Sequence, residues 1–320
     1  MNISSSRLRS ALTRNRLGFP LLALLFAISI VACVSQPSQP QYVIASGAWL
    51  GGWRADGSQL LIYTINGGVF VVSADDTSFP RVEYPWDFSQ AIDKGINFHW
   101  SPDELSVLYD SKSGEEAGSR DLYLLNKPGQ ASDLLFSFHA LIGPVWSPDS
   151  KQFAAIVDGM LRLYDRDGRN YRDILADVSD IWNLNWSPDG KVLALSDDTR
   201  TKFLDLESDQ AIEKVGFPTV GIQPTWSPDG RFVALIEPWR NQLKGNLIIA
   251  KLDGTQRIVL AGVKDPSASQ LSADEFLYSE PSWSPRGDYI AVRRISAVIH
   301  QSREQESYEV VLIPVPDELK

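Results

Sequence analysis

The sequence is poor in the residues on which most thiol and metal sites depend. Its 320 residues include one cysteine, Cys33, together with three histidines and two methionines. A single cysteine excludes an intramolecular disulfide and a zinc site built from cysteines, so packing alone must hold the fold together. The H-E-x-x-H, G-x-S-x-G, P-loop and EF-hand patterns are also absent. We therefore expect neither a cofactor nor a metal ion.

The few histidines give little support for catalysis. They are His99, His139 and His300. His99 directly precedes Trp100 in a predicted inner strand, so we expect a hydrogen-bonded structural histidine there.

The first 32 residues have the pattern of a secretory signal peptide. Four arginines and no acidic residue precede an apolar run, residues 17–31, that is short for a membrane span. The run ends in Ile30-Val31-Ala32-Cys33, which resembles a bacterial lipobox, and in that family of signals the cysteine is lipidated. An uncleaved anchor helix is the alternative. We expect a signal peptide at 1–32, a lipidated Cys33 with a Pro/Ser/Gln tether to residue 40, and one domain at 41–320.

The charge of the chain argues against two classes of partner. Removal of the signal peptide lowers the basic count from 30 to 26 against 40 acidic residues, a net charge of −14. A chain with this negative charge is poorly suited to bind nucleic acid or an anionic lipid surface. We expect membrane contact through the lipid on Cys33, on the periplasmic or extracellular side of a bacterial envelope.

A four-residue motif, Trp-Ser-Pro-Asp, organises the rest of the chain. It occurs four times, a fifth copy has Arg286 in place of Asp, and a sixth, at 53–57, keeps only its ends. The motif residues are Trp100, Asp103, Trp146, Asp149, Trp186, Asp189, Trp226, Asp229 and Trp283. From Trp53 onward the tryptophans are 47, 46, 40, 40 and 57 residues apart. A period of this length is typical of repeat architectures.

The clearest repeat spans residues 181–215 and predicts four short strands. A strand at 181–186 leads into the turn at 187–190, where Pro presets φ and Gly tolerates a positive φ. Further strands are predicted at 191–196, 201–206 and 211–215. Four strands per repeat predict an all-β, six-bladed propeller.

The last repeat lacks a fourth strand. Only residues 314–320, with two prolines, follow its third strand at 308–313, whereas residues 41–45 form a strand without a repeat. We infer that this N-terminal strand completes the last blade, which would close the ring and leave no unpaired edge.

The W-S-P-D-G repeats resemble those of the TolB-like propellers, also called PD40 or WD40-like repeat proteins. The resemblance covers residues 41–315 and implies a six-bladed propeller. It implies little about activity, because the family includes periplasmic interaction proteins, peptidase lids and some polysaccharide lyases. The repeat that begins at Trp53 departs most from the pattern.

One face of such a propeller carries the motif turns, and the other carries the long connections. These are predicted at residues 85–96, 110–120, 237–245, 262–278 and 296–307. Long loops on a rigid scaffold usually carry function, and aromatic and Arg residues are enriched in interfaces. The candidate binding residues are Trp86, Phe88, Trp239, Arg240, His300 and Arg303. The alternative is that Trp86 and Trp239 pack onto neighbouring blades.

The motif carboxylates could also be taken for a functional ring. Because each recurs at one position of its repeat, we expect them to cap the turns, and an ion in the central channel stays open as an alternative. The N-terminal strand should start at the motif face and run toward the long-loop face, which would then point away from the membrane.

The sequence thus predicts a monomeric, non-enzymatic module that binds a protein, peptide or glycan. The alternative is a polysaccharide-active propeller enzyme that uses acidic residues or His300 at the channel mouth.

Overall fold

The computed structural model describes residues 40–64, 69–76, 78, 81–83, 98–112, 119–126, 131–198, 200–208, 210–212, 221–240, 242–252, 255–264, 271–272, 275–300 and 303–320. The predicted signal peptide, Cys33, Trp86 and Phe88 lie outside these ranges. Across these ranges the chain is all-β apart from one 3-10 helix at Asp317–Leu319. No helix found there is long and apolar enough to cross a membrane.

The first strand, β1, spans Tyr42–Ser46. Four sheets of four strands follow, each an antiparallel meander in chain order. The first contains β2 (Ala48–Trp53), β3 (Gln59–Thr64), β4 (Val69–Ser73) and β5 (Arg81–Glu83). The second contains β6 (Phe98–Trp100), β7 (Val107–Lys112), β8 (Arg120–Leu125) and β9 (Asp133–Phe138). The third contains β10 (Leu141–Trp146), β11 (Gln152–Val157), β12 (Met160–Asp165) and β13 (Tyr171–Leu175). The fourth contains β14 (Asn183–Trp186), β15 (Val192–Ser196), β16 (Thr201–Asp205) and β17 (Gln210–Ile212).

The remaining strands form an eight-stranded sheet made of two meanders. One meander contains β18 (Ile222–Trp226), β19 (Phe232–Pro238), β20 (Gly245–Lys251) and β21 (Arg257–Ala261). The other contains β22 (Leu277–Trp283), β23 (Tyr289–His300) and β24 (Arg303–Pro314), with β1 at its edge. Among the residues that the structure describes, one pairing, Gly245 with Tyr278, joins the two meanders.

In the third and fourth repeats the second strand is buried on both faces because it is covered on both sides. In β11, Phe153–Val157 is buried throughout, and in β15 Leu193–Ser196 is buried throughout. The hydrophobic clusters lie between successive sheets: Leu60 and Ile62 of β3, for example, pack with Leu312 of β24. Burial of one such side chain contributes about 1.5–3 kcal/mol, so these contacts hold the sheets against one another.

The N-terminal strand β1 pairs antiparallel with β24, Tyr42 opposite Leu312 and Ser46 opposite Glu309. On its other side β24 pairs with β23, with Pro314 opposite Tyr289, the residue that follows the last motif turn. The chain therefore enters β1 near the motif turns and runs toward the β23–β24 turn. This direction agrees with the one expected from the sequence.

The segment 296–307, predicted as a long irregular loop, is instead a continuation of the β23–β24 hairpin. Pairing runs without a break from Tyr289 opposite Pro314 to His300 opposite Arg303. The polar residues 303–306 are typical of a loop, but the β-branched Val298 and Ile299, which lie opposite two of them, favour a strand. The prediction of an irregular loop here was wrong.

Candidate functional site

The tryptophan of the motif points back toward the preceding sheet. In three repeats its indole N–H donates to the backbone carbonyl of the residue just before the motif tryptophan of a neighbouring sheet. These bonds run from Trp53 to Ser282, from Trp146 to His99 and from Trp186 to Val145, at 3.0, 2.9 and 3.0 Å. The bond from Trp53 joins the first sheet to the last meander. The tryptophan therefore connects neighbouring sheets and is not presented to a ligand.

The serine and aspartate of the motif cap the turn. Ser187 Oγ donates to Asp189 Oδ1 at 2.6 Å and accepts the N–H of Val192 at 2.9 Å. Asp189 Oδ1 also accepts the N–H of Lys191 at 3.1 Å. The same Ser–Asp bond recurs between Ser101 and Asp103, Ser147 and Asp149, and Ser227 and Asp229. These contacts are the turn-capping ones expected from the sequence.

Hydrogen bonding keeps these carboxylates ionised. The bond from Ser187 holds the pKa of Asp189 below its ordinary value of 3.8, and the bond from Ser147 does the same for Asp149. For Asp103, burial acts to raise the pKa, but hydrogen bonds from Arg166 and Ser101 outweigh it and lower the pKa. Each carboxylate thus has its charge satisfied by its own turn or by a neighbour.

The fifth repeat, which has arginine in the aspartate position, uses another acid for the same purpose. Ser284 Oγ donates to Asp288 at 2.7 Å. Arg286, which occupies the aspartate position, reaches the first sheet instead. Its Nε donates to the Asp56 carbonyl at 2.8 Å, and its guanidinium pairs with Asp75.

Successive motif turns lie side by side, and we call this end of the sheets the motif end. A Cβ added to Gly190, Gly230 or Gly287 would lie 3.8, 3.9 or 3.8 Å from the proline of the preceding motif. Ion pairs also cross between neighbouring turns: Arg54 meets Glu104 at 2.5 Å and Arg166 meets Asp103 at 2.6 Å. Many polar groups at the motif end are therefore already engaged within the protein.

The opposite end, where β19 meets β20 and β23 meets β24, is the loop end. Trp239 belongs to it but is only 9% exposed, and its ring packs with Val263, Leu277 and Ile295. Trp239 is thus a packing residue, and its prediction as an exposed binding residue needs correction. Trp239 instead follows the alternative interpretation, in which it packs onto a neighbouring repeat.

Arg240 is exposed at the loop end, with its guanidinium carbon 5.1 Å from the centroid of the Trp239 ring. Leu243, in the same connection, is 49% exposed. Lys244 forms an ion pair with Glu306 of β24, so the connection is fastened to the extended hairpin. The candidates His300 and Arg303 pair with each other at the end of that hairpin.

His99 differs from the expectation of a hydrogen-bonded structural histidine. It lies in β6, and its Nε2 is buried without a hydrogen-bond partner in the described part of the chain. Burial lowers its pKa to about 4, although the carboxylate of Asp110 acts in the opposite direction. His99 is therefore neutral at pH 7.

A cluster that the sequence analysis missed lies at the loop end, between the first sheet and the last meander. We call it the junction site; it contains Trp49, Tyr63, Glu280, Arg293 and Tyr308. Arg293 Nη1 donates to Glu280 Oε1 at 2.5 Å, and its guanidinium carbon lies 5.8 Å from the Trp49 ring and 4.7 Å from the Tyr308 ring. Tyr63 stacks on Trp49 with centroids 5.9 Å apart and planes at 11°.

A backbone irregularity positions the carboxylate of this cluster. Glu280 has φ of +54°, three residues before a motif tryptophan, and Gln223 has φ of +55° at the same position of the preceding repeat. Gln223 Oε1 accepts the Glu280 N–H at 2.7 Å, which fixes the bulge. The Gly143-Pro144, Gln223-Pro224 and Glu280-Pro281 dipeptides are the sequence signal that could have revealed this shared irregularity.

The junction site is polar and partly buried. The Glu280 side chain is 42% exposed and that of Arg293 only 13%. Burial raises the pKa of Tyr63 to about 12, with the Glu280 charge adding to the rise and the Arg293 charge opposing it. Across the described ranges, no group of three or more His, Cys, Asp or Glu side chains could hold a metal ion.

The small antiparallel sheets, packed face to face through a repeated tryptophan turn, define the chain as a β-propeller. Its fold is that of the TolB-like propellers. No protein-family model matches the chain, and no curated protein matches it at a significant level. The likeness is therefore found through solved structures.

Three solved structures illustrate this likeness. TolB from Acinetobacter baumannii has a TM-score of 0.51 and 17% identity, with 84% of this chain and 63% of that one covered. A putative TolB from Agrobacterium tumefaciens has a TM-score of 0.56 and 17% identity, over 87% and 91%. Oligogalacturonate lyase from Vibrio parahaemolyticus has a TM-score of 0.51 and 14% identity, over 86% and 78%. The chain spans less than two thirds of the length of the first, and identities this low establish the fold alone.

Proposed function

We propose that this chain is a lipid-anchored, six-bladed propeller of the bacterial cell envelope that binds a protein, peptide or glycan through its loop end. The six four-stranded meanders would be the blades. The pairing of β1 with β24 and the Trp53–Ser282 bond support closure of the ring between the last blade and the first.

The contrast between the two ends is the observation that carries this proposal. At the motif end the turns are short, and their carboxylates are bound by serines and arginines of the protein itself. The loop end has an extended hairpin and a connection that carries the exposed Arg240 and Leu243 beside the buried Trp239, whereas the exposed Leu105 of the motif end lies in a short turn. Exposed apolar and cationic groups on a fixed scaffold are typical of a binding surface.

The direction of β1 supports an outward-facing loop end. The chain leaves the tether beside the motif turns, so a lipid on Cys33 would hold the motif end toward the membrane. In the proposed arrangement the loop end faces away from the bilayer, where a partner can reach it. The TolB-like fold is compatible with such an envelope location.

In-cell photo-crosslinking tests the binding face. A benzophenone amino acid is placed at Leu243, which is 49% exposed at the loop end, or at Leu105, which is 62% exposed at the motif end. We expect an adduct of discrete mass from position 243 and none from position 105. Adducts from 105 alone, or from neither position, would reject the loop end as the binding face.

A polysaccharide-active enzyme is the second candidate function. It is favoured by the paired Glu280 and Arg293 at the loop end and by the likeness in fold to an oligogalacturonate lyase. Incubation with oligogalacturonate, followed by ultraviolet detection of unsaturated product, tests it directly. Product formation that disappears in Glu280→Gln would replace the binding proposal with the enzymatic one.

A further inference from the structure

The junction site combines a hydrogen-bond acceptor, a donor and aromatic rings in one place. One oxygen of Glu280 receives Arg293, and the remainder of the carboxylate faces solvent on a 42% exposed side chain. The Nε–H of Arg293 is buried and lacks an acceptor among the residues that the structure describes. A buried donor left without an acceptor is destabilising, so a group that accepts this hydrogen bond would be stabilised there.

The charges of the site already cancel each other. Because Glu280 and Arg293 form a 2.5 Å ion pair, neither an anionic nor a cationic ligand would find an uncompensated charge. The pair can accept a hydrogen bond through Glu280 and donate one through Arg293, and it carries no net charge. Hydroxyl groups both donate and accept, so they match this demand better than a carboxylate or an ammonium group does.

Aromatic rings frame the ion pair. Trp49 and Tyr308 are partly exposed, and each lies within 6 Å of the Arg293 guanidinium carbon. The Tyr63 ring stacked on Trp49 fixes the orientation of the indole before any ligand arrives. Pre-set aromatic surfaces can pack against the C–H faces of a sugar ring at a small cost in side-chain entropy.

The strained backbone of Glu280 is consistent with a ligand site. A glutamate at φ of +54° occupies the left-handed region, which is strained for a residue with a side chain and is found preferentially at ligand clamps and active sites. The hydrogen bond from its N–H to Gln223 holds it there. The carboxylate is therefore fixed at this position by the neighbouring repeat.

We infer that the junction site binds a neutral, hydroxyl-rich glycan, with Glu280 and Arg293 bonding adjacent hydroxyls and Trp49 and Tyr308 packing against the sugar ring. This inference rests on the proposed binding role of the loop end and specifies the chemical class of one of its ligands. It differs from the enzymatic alternative in requiring an uncharged sugar and no bond cleavage.

The chain offers a closely matched control, Glu104. Like Glu280 it has a positive φ, +60°, and a 2.5 Å ion pair with an arginine, here Arg54. It is 28% exposed but lies at the motif end, in the turn after Trp100. Glu280→Gln and Glu104→Gln thus remove the same charge from similar local structures at opposite ends.

Isothermal titration calorimetry on the full chain in detergent tests the inference. The probes are cellotetraose, maltotetraose and chitotetraose, with tetragalacturonate as the anionic comparator. We expect measurable binding of at least one neutral probe, weakened at least tenfold in Glu280→Gln and in Trp49→Ala and changed less than twofold in Glu104→Gln. Circular dichroism checks that each variant is folded.

Three results would overturn the inference: no neutral probe binds, tetragalacturonate binds in preference to all three, or Glu280→Gln and Glu104→Gln behave alike. These results are separable from failure of the proposed function. If position 243 still gives its crosslinked adduct, the loop end remains a binding face and only the glycan site is rejected.

Discussion

The indole hydrogen bonds between sheets make a quantitative prediction, because the repeat supplies its own control. Trp186 and Trp226 occupy the same motif position and are each 7% exposed. The Trp186 N–H donates to the Val145 carbonyl at 3.0 Å, whereas the Trp226 N–H is buried without an acceptor in the described ranges. Substitution by phenylalanine removes a similar apolar volume at both positions but a hydrogen bond at only one.

The expected difference follows from the energies of these groups. Trp186→Phe loses a hydrogen bond with a net value of about 1 kcal/mol and leaves the Val145 carbonyl without this donor. Trp226→Phe removes a buried donor whose desolvation was uncompensated, which recovers about 1 kcal/mol or more. The cavity terms largely cancel, so Trp186→Phe should be less stable than Trp226→Phe by about 2 kcal/mol.

Urea denaturation followed by far-ultraviolet circular dichroism measures this difference. With a slope of about 3 kcal/mol/M, a gap of about 2 kcal/mol separates the two midpoints by about 0.7 M. Trp146→Phe, which loses the 2.9 Å bond to the His99 carbonyl, should behave like Trp186→Phe. Equal midpoints for Trp186→Phe and Trp226→Phe, or a lower one for Trp226→Phe, would refute the reasoning.

Three further predictions concern the turn carboxylates, a close backbone approach and the tether. The pKa of Asp189 is lowered in the fold, so its contribution to the free energy of unfolding is present above pH 3.8 and is lost as the pH falls through the folded pKa. Asp189→Asn should therefore make stability fall less steeply with pH in acid denaturation. An unchanged pH dependence in the acid range would contradict this. A Cβ at Gly245 would lie 1.9 Å from the Glu237 carbonyl oxygen, so Gly245→Ala should cost about 3 kcal/mol in urea unfolding. The cost should be larger than that of Gly159→Ala, where the positive φ of +81° opposes a side chain but the nearest atom, in Ser179, is 3.9 Å away; equal losses would argue against this contact. Cys33→Ser should abolish labelling of the protein by a fatty-acid analogue, and retained labelling would exclude Cys33 as the lipidated residue.

The repeat units could be predicted from the sequence because turn chemistry and hydrophobic pattern agree within them. The strands predicted at 191–196 and 201–206 are observed at Val192–Ser196 and Thr201–Asp205. Around them, Pro and Gly set the turn and an apolar run sets the buried strand. The pairing of the N-terminal strand with the last meander followed from counting strands in the last repeat.

The junction site could not be predicted, because its residues are far apart in sequence and lie inside strands. Trp49 and Arg293 meet only because the first sheet packs beside the last meander, and a strand pattern carries no information on that contact. Trp239 was misjudged for a related reason: its position in a connection suggested exposure, while Val263, Leu277 and Ile295 bury it. The hairpin at 296–307 was mistaken for a loop because one of its strands is strongly polar.

The pairing of β1 with β24 has a consequence for biogenesis. Tyr42 cannot meet Leu312 until almost the whole chain has been synthesised, so β1 waits for β24. Contacts of such sequence separation form slowly, and the unpaired strand remains open to wrong pairing during the delay. The order of synthesis therefore makes completion of the last sheet the final step of folding, and a chain that stops before β24 leaves its N-terminal strand without its native partner.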